Sequence, residues 1–179
     1  WSDWSAAVAS CVASVPDDLL LEAAEVILAS NIILTAGNGG SAAIASHAAQ
    51  AILKPSYRPG GGRPAVCLTD NIAVLTAHAN DGGWAGALVE AARPFLAIPR
   101  AAFLLISSSG KSENVVRLAE LARDTNRRPV IALTGFDGGR LRELATISIH
   151  VDSRDYEVVE PVHQAFVHRI QTHLRGGRD

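Results

Sequence analysis

Methionine is absent from this chain, even at position 1, and cysteine occurs only as Cys11 and Cys67. The first absence implies that the 179 residues begin inside a longer product, behind a tag or an upstream domain. The two cysteines lie in apolar surroundings without metal-type or redox-type spacing, and read as reduced core thiols. An excess of either charge is lacking too: 16 Lys and Arg against 18 Asp and Glu leave a net charge of -2. That balance offers no electrostatic footprint for nucleic acid. No apolar run reaches the ~18 residues needed to span a bilayer, and no basic-then-apolar leader precedes the first helix. The reading is therefore cytoplasmic, with no membrane partner.

What is present is a globular balance, 48% hydrophobic and 19% charged, at a length that buries one substantial core. A single domain over residues 1–179 is expected, with N-terminal helices to about 30 and a sheet-and-helix core beyond. Residues 4–14 and 17–30 carry apolar positions at helical spacing, with Asp17 as the expected N-cap after Pro16. The β-branched run 31–36 reads as a buried strand. An alanine-rich helix follows to about Leu53. Pro55, Pro59 and the glycines 60–62 mark a loop. Further strands are expected at 65–69, 101–107, 129–134 and 146–151. Helices are expected over most of 70–98 (broken near residues 80–83), over 112–126, shortly after Gly139, and from about Glu157 to the end. Strands alternating with helices make an α/β fold, a parallel sheet covered on both faces, with ligands beyond the carboxyl ends of the strands.

Two loops fall at that edge. Gly37-Asn38-Gly39-Gly40-Ser41 lets the backbone approach a ligand closely and opens a helix, whose free N–H groups favour a phosphate. It is neither a dinucleotide fingerprint nor a P-loop. Ser107-Ser108-Ser109-Gly110-Lys111-Ser112 also links a strand to a helix, and four hydroxyls there make a neutral phosphate cradle with Lys111 as a supporting charge.

These motifs, with His47, Asn80-Asp81, Leu133-Thr134-Gly135-Phe136-Asp137-Gly138-Gly139 and a last helix bearing His163 and His168, resemble the sugar isomerase (SIS) family and, more narrowly, the phosphoheptose isomerases. The resemblance runs from about Leu20 to the final helix. It implies a three-layer αβα sandwich around a five-stranded parallel sheet, and a homotetramer with active sites where subunits meet. It also implies that Ser41, Ser107, Ser109 and Ser112 hold the phosphate, with Gly39 in the same loop. Asn38, Asp81 and Ser108 then contact the sugar.

Aldose–ketose isomerisation through an enediol needs a base for the proton beside the carbonyl, and an acid or metal for the oxygens. In the family, this work resembles that of a glutamate one turn after the first histidine, paired with a histidine of the last helix. With the first histidine and a glutamine, these two also hold zinc in some members. Here the position one turn after His47 is Ala51, and Gln50 points about 100° away on an ideal helix. Where the family commonly has glutamine, the chain has Glu160, two turns before His168 and about 12 Å away along the axis. His47, Glu160 and His168 thus offer two imidazoles and a carboxylate, a set suited to zinc or another divalent metal. Glu160 or His168 is the candidate base, and no organic cofactor is implied. Solvated helix-face residues are the alternative. Glu157 matches an acidic position of the family and reads as a substrate-binding residue that orients the site, or as a solvated charge; His163 matches a histidine and reads as packing or chemistry, while His78, His150 and His173 read as structural.

The leading function is an isomerase for sedoheptulose 7-phosphate or an octulose 8-phosphate. The rival is a catalytically inactive tetramer that binds protein or senses a sugar phosphate. Ala51 favours the rival; Glu160 and His168 favour the enzyme.

Overall fold

The computed structural model describes residues 1–54 and 62–175. Most of the loop expected at Pro55, Pro59 and the glycines lies outside them. Two helices, α1 (Ser2–Ser14) and α2 (Asp17–Ala29), lead into β1 (Ile32–Ala36), α3 (Gly40–Leu53) and β2 (Ala65–Cys67). The expected helical stretch 70–98 divides into α4 (Ile72–Gly82), α5 (Trp84–Ala92) and a 3-10 turn (Arg93–Ala97), with Gly83 at φ 82° between the first two. Then come β3 (Ala101–Ser107), α6 (Glu113–Asp124), β4 (Val130–Thr134), α7 (Gly139–Leu144), β5 (Ile147–His150) and α8 (Tyr156–Leu174).

The five strands form one sheet in the order β2-β1-β3-β4-β5, every pair parallel. Strands β1, β3 and β4 are buried along their full length, which is why their sequences are continuous apolar runs rather than alternating ones. Their side chains still divide by the period of two. Ala102, Leu104 and Ile106 of β3 join a core shared with α2, α3 and α8. Ala101, Phe103 and Leu105 join the opposite core with α5, α6 and α7. The result is the three-layer αβα sandwich.

Asp17 is not the N-cap of α2. Pro16 takes that place, and the Asp17 carboxylate accepts hydrogen bonds from Arg169 Nε and Nη2 at 2.7 and 2.8 Å, with His173 Nε2 at 3.2 Å. A bidentate pair to α8 has displaced the local cap. It holds the carboxyl down at about 2, the Arg169 hydrogen bond being the main cause.

Helix α8 contains Pro161, which has no N–H to donate to the carbonyl of Glu157. Trp4 of α1 donates its indole Nε1–H to that carbonyl at 3.0 Å. A side chain from the start of the chain thus supplies the bond that the proline removes from the last helix.

Candidate active site

The chain runs from β1 outward to β2, then crosses back to β3 on β1's other side. Between β1 and β3 lies the topological switch point, where parallel sheets open a crevice at their carboxyl edge. The two Gly/Ser loops leave β1 and β3 there. They line one cavity of about 280 Å³ with Asn38, Gly39, Gly40 and Ser41 on one side and Ser107, Ser108, Ser109 and Ser112 on the other; Tyr156 and Glu160 complete the wall.

Both helices that begin at the cavity lack a side-chain cap, so their first N–H groups and partial positive charges remain available to an anion. Gly39 caps α3 with φ 55°, a conformation that a β-carbon disfavours. Gly110, at φ 65°, lies where a β-carbon would run into the backbone of Gly138. The glycine therefore lets the loop after β3 close on the loop after β4, and Leu141 N–H donates to Gly110 O at 3.0 Å.

The hydroxyls are loosely held. Ser107 Oγ donates to Ser112 Oγ at 3.3 Å, and Ser109 Oγ accepts from the Lys111 N–H at 3.3 Å. Ser108 Oγ is buried without a hydrogen-bond partner, a group that an oxygen-rich ligand would satisfy. Asn38 and Asn114 exchange two amide hydrogen bonds of 2.9 Å, which orients Asn38 at the rim.

Lys111 does not serve the cradle: its ammonium pairs with Asp137 at 2.6 Å and is well exposed. Glu160 is instead the one charged residue among those lining the cavity. Asp81 stands apart as well. It lies exposed near the end of α4, accepting from Asn80 Nδ2 at 3.1 Å, and is not among the lining residues. Glu157 lines a neighbouring groove of about 580 Å³ with Trp1, Trp4, Tyr156, Glu160 and Pro161.

Further along α3 and α8, His47 and His168 meet edge to face with ring centroids 4.8 Å apart. Burial, then the nearby His168, pushes the His47 imidazole toward its neutral form. Gln164 Nε2 lies 3.0 Å from His47 Nδ1. The pairing of His47 with His168 was expected; the part of Gln164 was not. Tyr156, Glu160, Gln164 and His168 recur at every fourth residue, a spacing that places all four on one stripe of α8 and was legible for Tyr156 and Gln164 too.

The carboxylate does not complete a metal site with the imidazoles. Among the described residues, no group of three His, Cys, Asp or Glu side chains is arranged to hold a metal ion. The Glu160 carboxylate lies against Gly40 instead. Ala51 is buried beside Ala48, Ile52, Leu104 and Val167. Gln50 is exposed on a groove with Ser46 and Asp70, away from the cavity.

His163 is fully buried, with Nε2 3.1 Å from Thr134 O. Burial pushes its pKa down to about 4, so it packs as a neutral ring. His150 Nδ1 lies 3.1 Å from Thr134 Oγ1, and His173 faces Asp17; both are structural, as read from the sequence.

The SIS domain profile matches residues 9–135. The phosphoheptose isomerase of Aliarcobacter butzleri is 38% identical over 151 residues, 83% of this chain and 77% of the relative. The chain belongs to the phosphoheptose isomerase family of SIS domains. Another relative, the lincomycin biosynthesis protein LmbN of Streptomyces lincolnensis, is 36% identical over 75% of this chain and 50% of its own length. The solved phosphoheptose isomerase GmhA of Neisseria gonorrhoeae superposes with a TM-score of 0.85 at 27% identity, covering 98% of this chain and 95% of that one. For a phosphoheptose isomerase family member, the serine cavity lies at the expected edge of the sheet.

Proposed function

We propose that this chain is an aldose–ketose isomerase of sedoheptulose 7-phosphate, working through an enediol. The observation that carries the reading is the convergence of two uncapped helix starts and five serines on one cavity that also holds a carboxylate. Ser41, Ser107, Ser109 and Ser112 take the phosphate, with help from backbone amides; Asn38, Gly39 and Ser108 contact the sugar.

Glu160, as carboxylate, takes the proton from C1 of the ketose. The electron pair forms the C1–C2 double bond, and the carbonyl π pair moves to O2 as His168, two turns further along α8, supplies a proton there through a bridging water. The enediol collapses when Glu160 returns its proton to C2 and a base removes the proton of O1, leaving the aldehyde at C1. His168 is the group that recovers that proton, held edge-on by His47. No step passes through a metal. The donors on offer to zinc are His47 and His168, and Glu160 joins them only by leaving Gly40.

The assembly proposed is a homotetramer. Ile72 and Trp84 expose 71% and 51% of their surface on α4 and α5, and a subunit contact there brings Asp81 to a neighbour's site. Sedimentation equilibrium should return the mass of four chains. The inactive protein-binding or sensing alternative is not favoured, since the Aliarcobacter butzleri relative and the solved Neisseria gonorrhoeae neighbour are both phosphoheptose isomerases.

The test is turnover of sedoheptulose 7-phosphate and of an octulose 8-phosphate, with and without added zinc. Glu160→Gln is expected to lower kcat by about a hundredfold or more, and His168→Ala to lower it as well. Absence of turnover on both sugars, or wild-type rates in both variants, overturns the assignment.

A further inference from the structure

We infer that Gly40 is a positioning residue for Glu160, an inference that rests on the proposed role of Glu160 as base. A β-carbon built on Gly40 would overlap both oxygens and the carboxyl carbon of Glu160. The carboxylate therefore fills the space that any other residue at position 40 would occupy. Neither its backbone conformation nor its burial calls for glycine. Gly40 is the first residue of α3, its φ is not in the left-handed region, and it is exposed. Gly39 beside it is different: its φ of 55° demands glycine, while a β-carbon there would meet nothing within 4 Å. Of these two adjacent glycines, one therefore serves the turn and the other makes room for a side chain arriving from α8.

The consequence is specific to this chain, because a carboxylate at position 160 stands where the resemblance implies glutamine. Among the described residues no hydrogen bond holds the Glu160 carboxylate, and Gly40 forms the seat it rests on. Pro161 and the Trp4 contact fix the start of α8 behind it. The seat sits in the wall of the serine cavity, so the carboxylate faces whatever the cradle holds. Filling the seat pushes the end of a flexible side chain aside at little cost to the fold, and alanine is the better helix former. Stability and catalysis are thus separable at this position.

The experiment compares Gly40→Ala, Glu160→Gln, Glu160→Ala and the double variant Gly40→Ala/Glu160→Ala. Readouts are kcat and KM on sedoheptulose 7-phosphate, binding of inorganic phosphate, and the melting temperature. Gly40→Ala is expected to lower kcat by about tenfold or more, with KM and phosphate affinity within about threefold of wild type and no loss of melting temperature. In the Glu160→Ala background, the same substitution should change kcat by less than about twofold, because no carboxylate remains to displace. Wild-type kcat in Gly40→Ala, with kcat lost in Glu160→Gln, overturns the role of Gly40 and leaves the role of Glu160 standing. Wild-type kcat in Glu160→Gln overturns the base assignment itself. A higher kcat with tighter phosphate binding in Gly40→Ala overturns the inference too, since the carboxylate would then be obstructing the cradle. An equal loss with and without Glu160 does the same, by tracing the effect to the phosphate loop.

Discussion

Ala51 shows how closely one methyl can be boxed in. It is 4% exposed, and the residues around it on α3, β3 and α8 are mostly apolar. The sequence alone marks it as the position where the resemblance implies a glutamate, but it cannot show that Val167, Ile170 and Leu174 of α8 pack beside it. Restoring the acid by Ala51→Glu would bury a charge in a mostly apolar pocket too small for the added side chain. We expect a loss of at least about 3 kcal/mol, read as a lower denaturation midpoint, and no gain in turnover. Glu160 was legible as a candidate because it stands where the resemblance implies glutamine, two turns before His168 on the same helix. Its resting place was not, since Gly40 reads as loop chemistry until the two helices are packed together. Lys111 failed for a related reason: a lysine in a serine loop looks like a phosphate partner, yet Asp137, 26 residues on, reaches it first.

At the scale of elements, helix and strand identities were readable because periodicity is a property of consecutive residues. Contacts between elements were not. Asp17 has the chemistry of a cap, and the choice between capping α2 and gripping Arg169 is made 152 residues away. The docking of α8 on the sheet carries a pH signature. His163 has its pKa lowered from 6.5 to about 4 by burial. Between those values the unfolded chain binds more protons than the folded one. The contribution of this group is therefore complete above pH 6.5 and lost as pH falls toward 4, an order of about 3 kcal/mol at most. Asp17, lowered from 3.8 to about 2, supports the fold above pH 3.8 and loses that support only on further acidification. Its half-exposed side chain makes the second contribution the smaller. Chemical denaturation from pH 7 to 4 should show stability falling in wild type, and a flatter profile in His163→Gln.

For the whole molecule, the sheet order is what turns local motifs into a site. Each Gly/Ser loop alone is only a turn before a helix; the crossover from β2 to β3 sets them on adjacent strands. Alternation of strands and helices made a parallel sheet readable, whereas the order of strands within it is fixed by packing on two faces at once. The indole of Trp4 adds a connection that no such pattern announces. Because it mends the gap left by Pro161 one residue from Glu160, the first turn of α1 works as a splint on the wall of the serine cavity. Trp4→Ala should therefore lower kcat through the proposed base, measured on sedoheptulose 7-phosphate, while the serine cradle goes on binding phosphate.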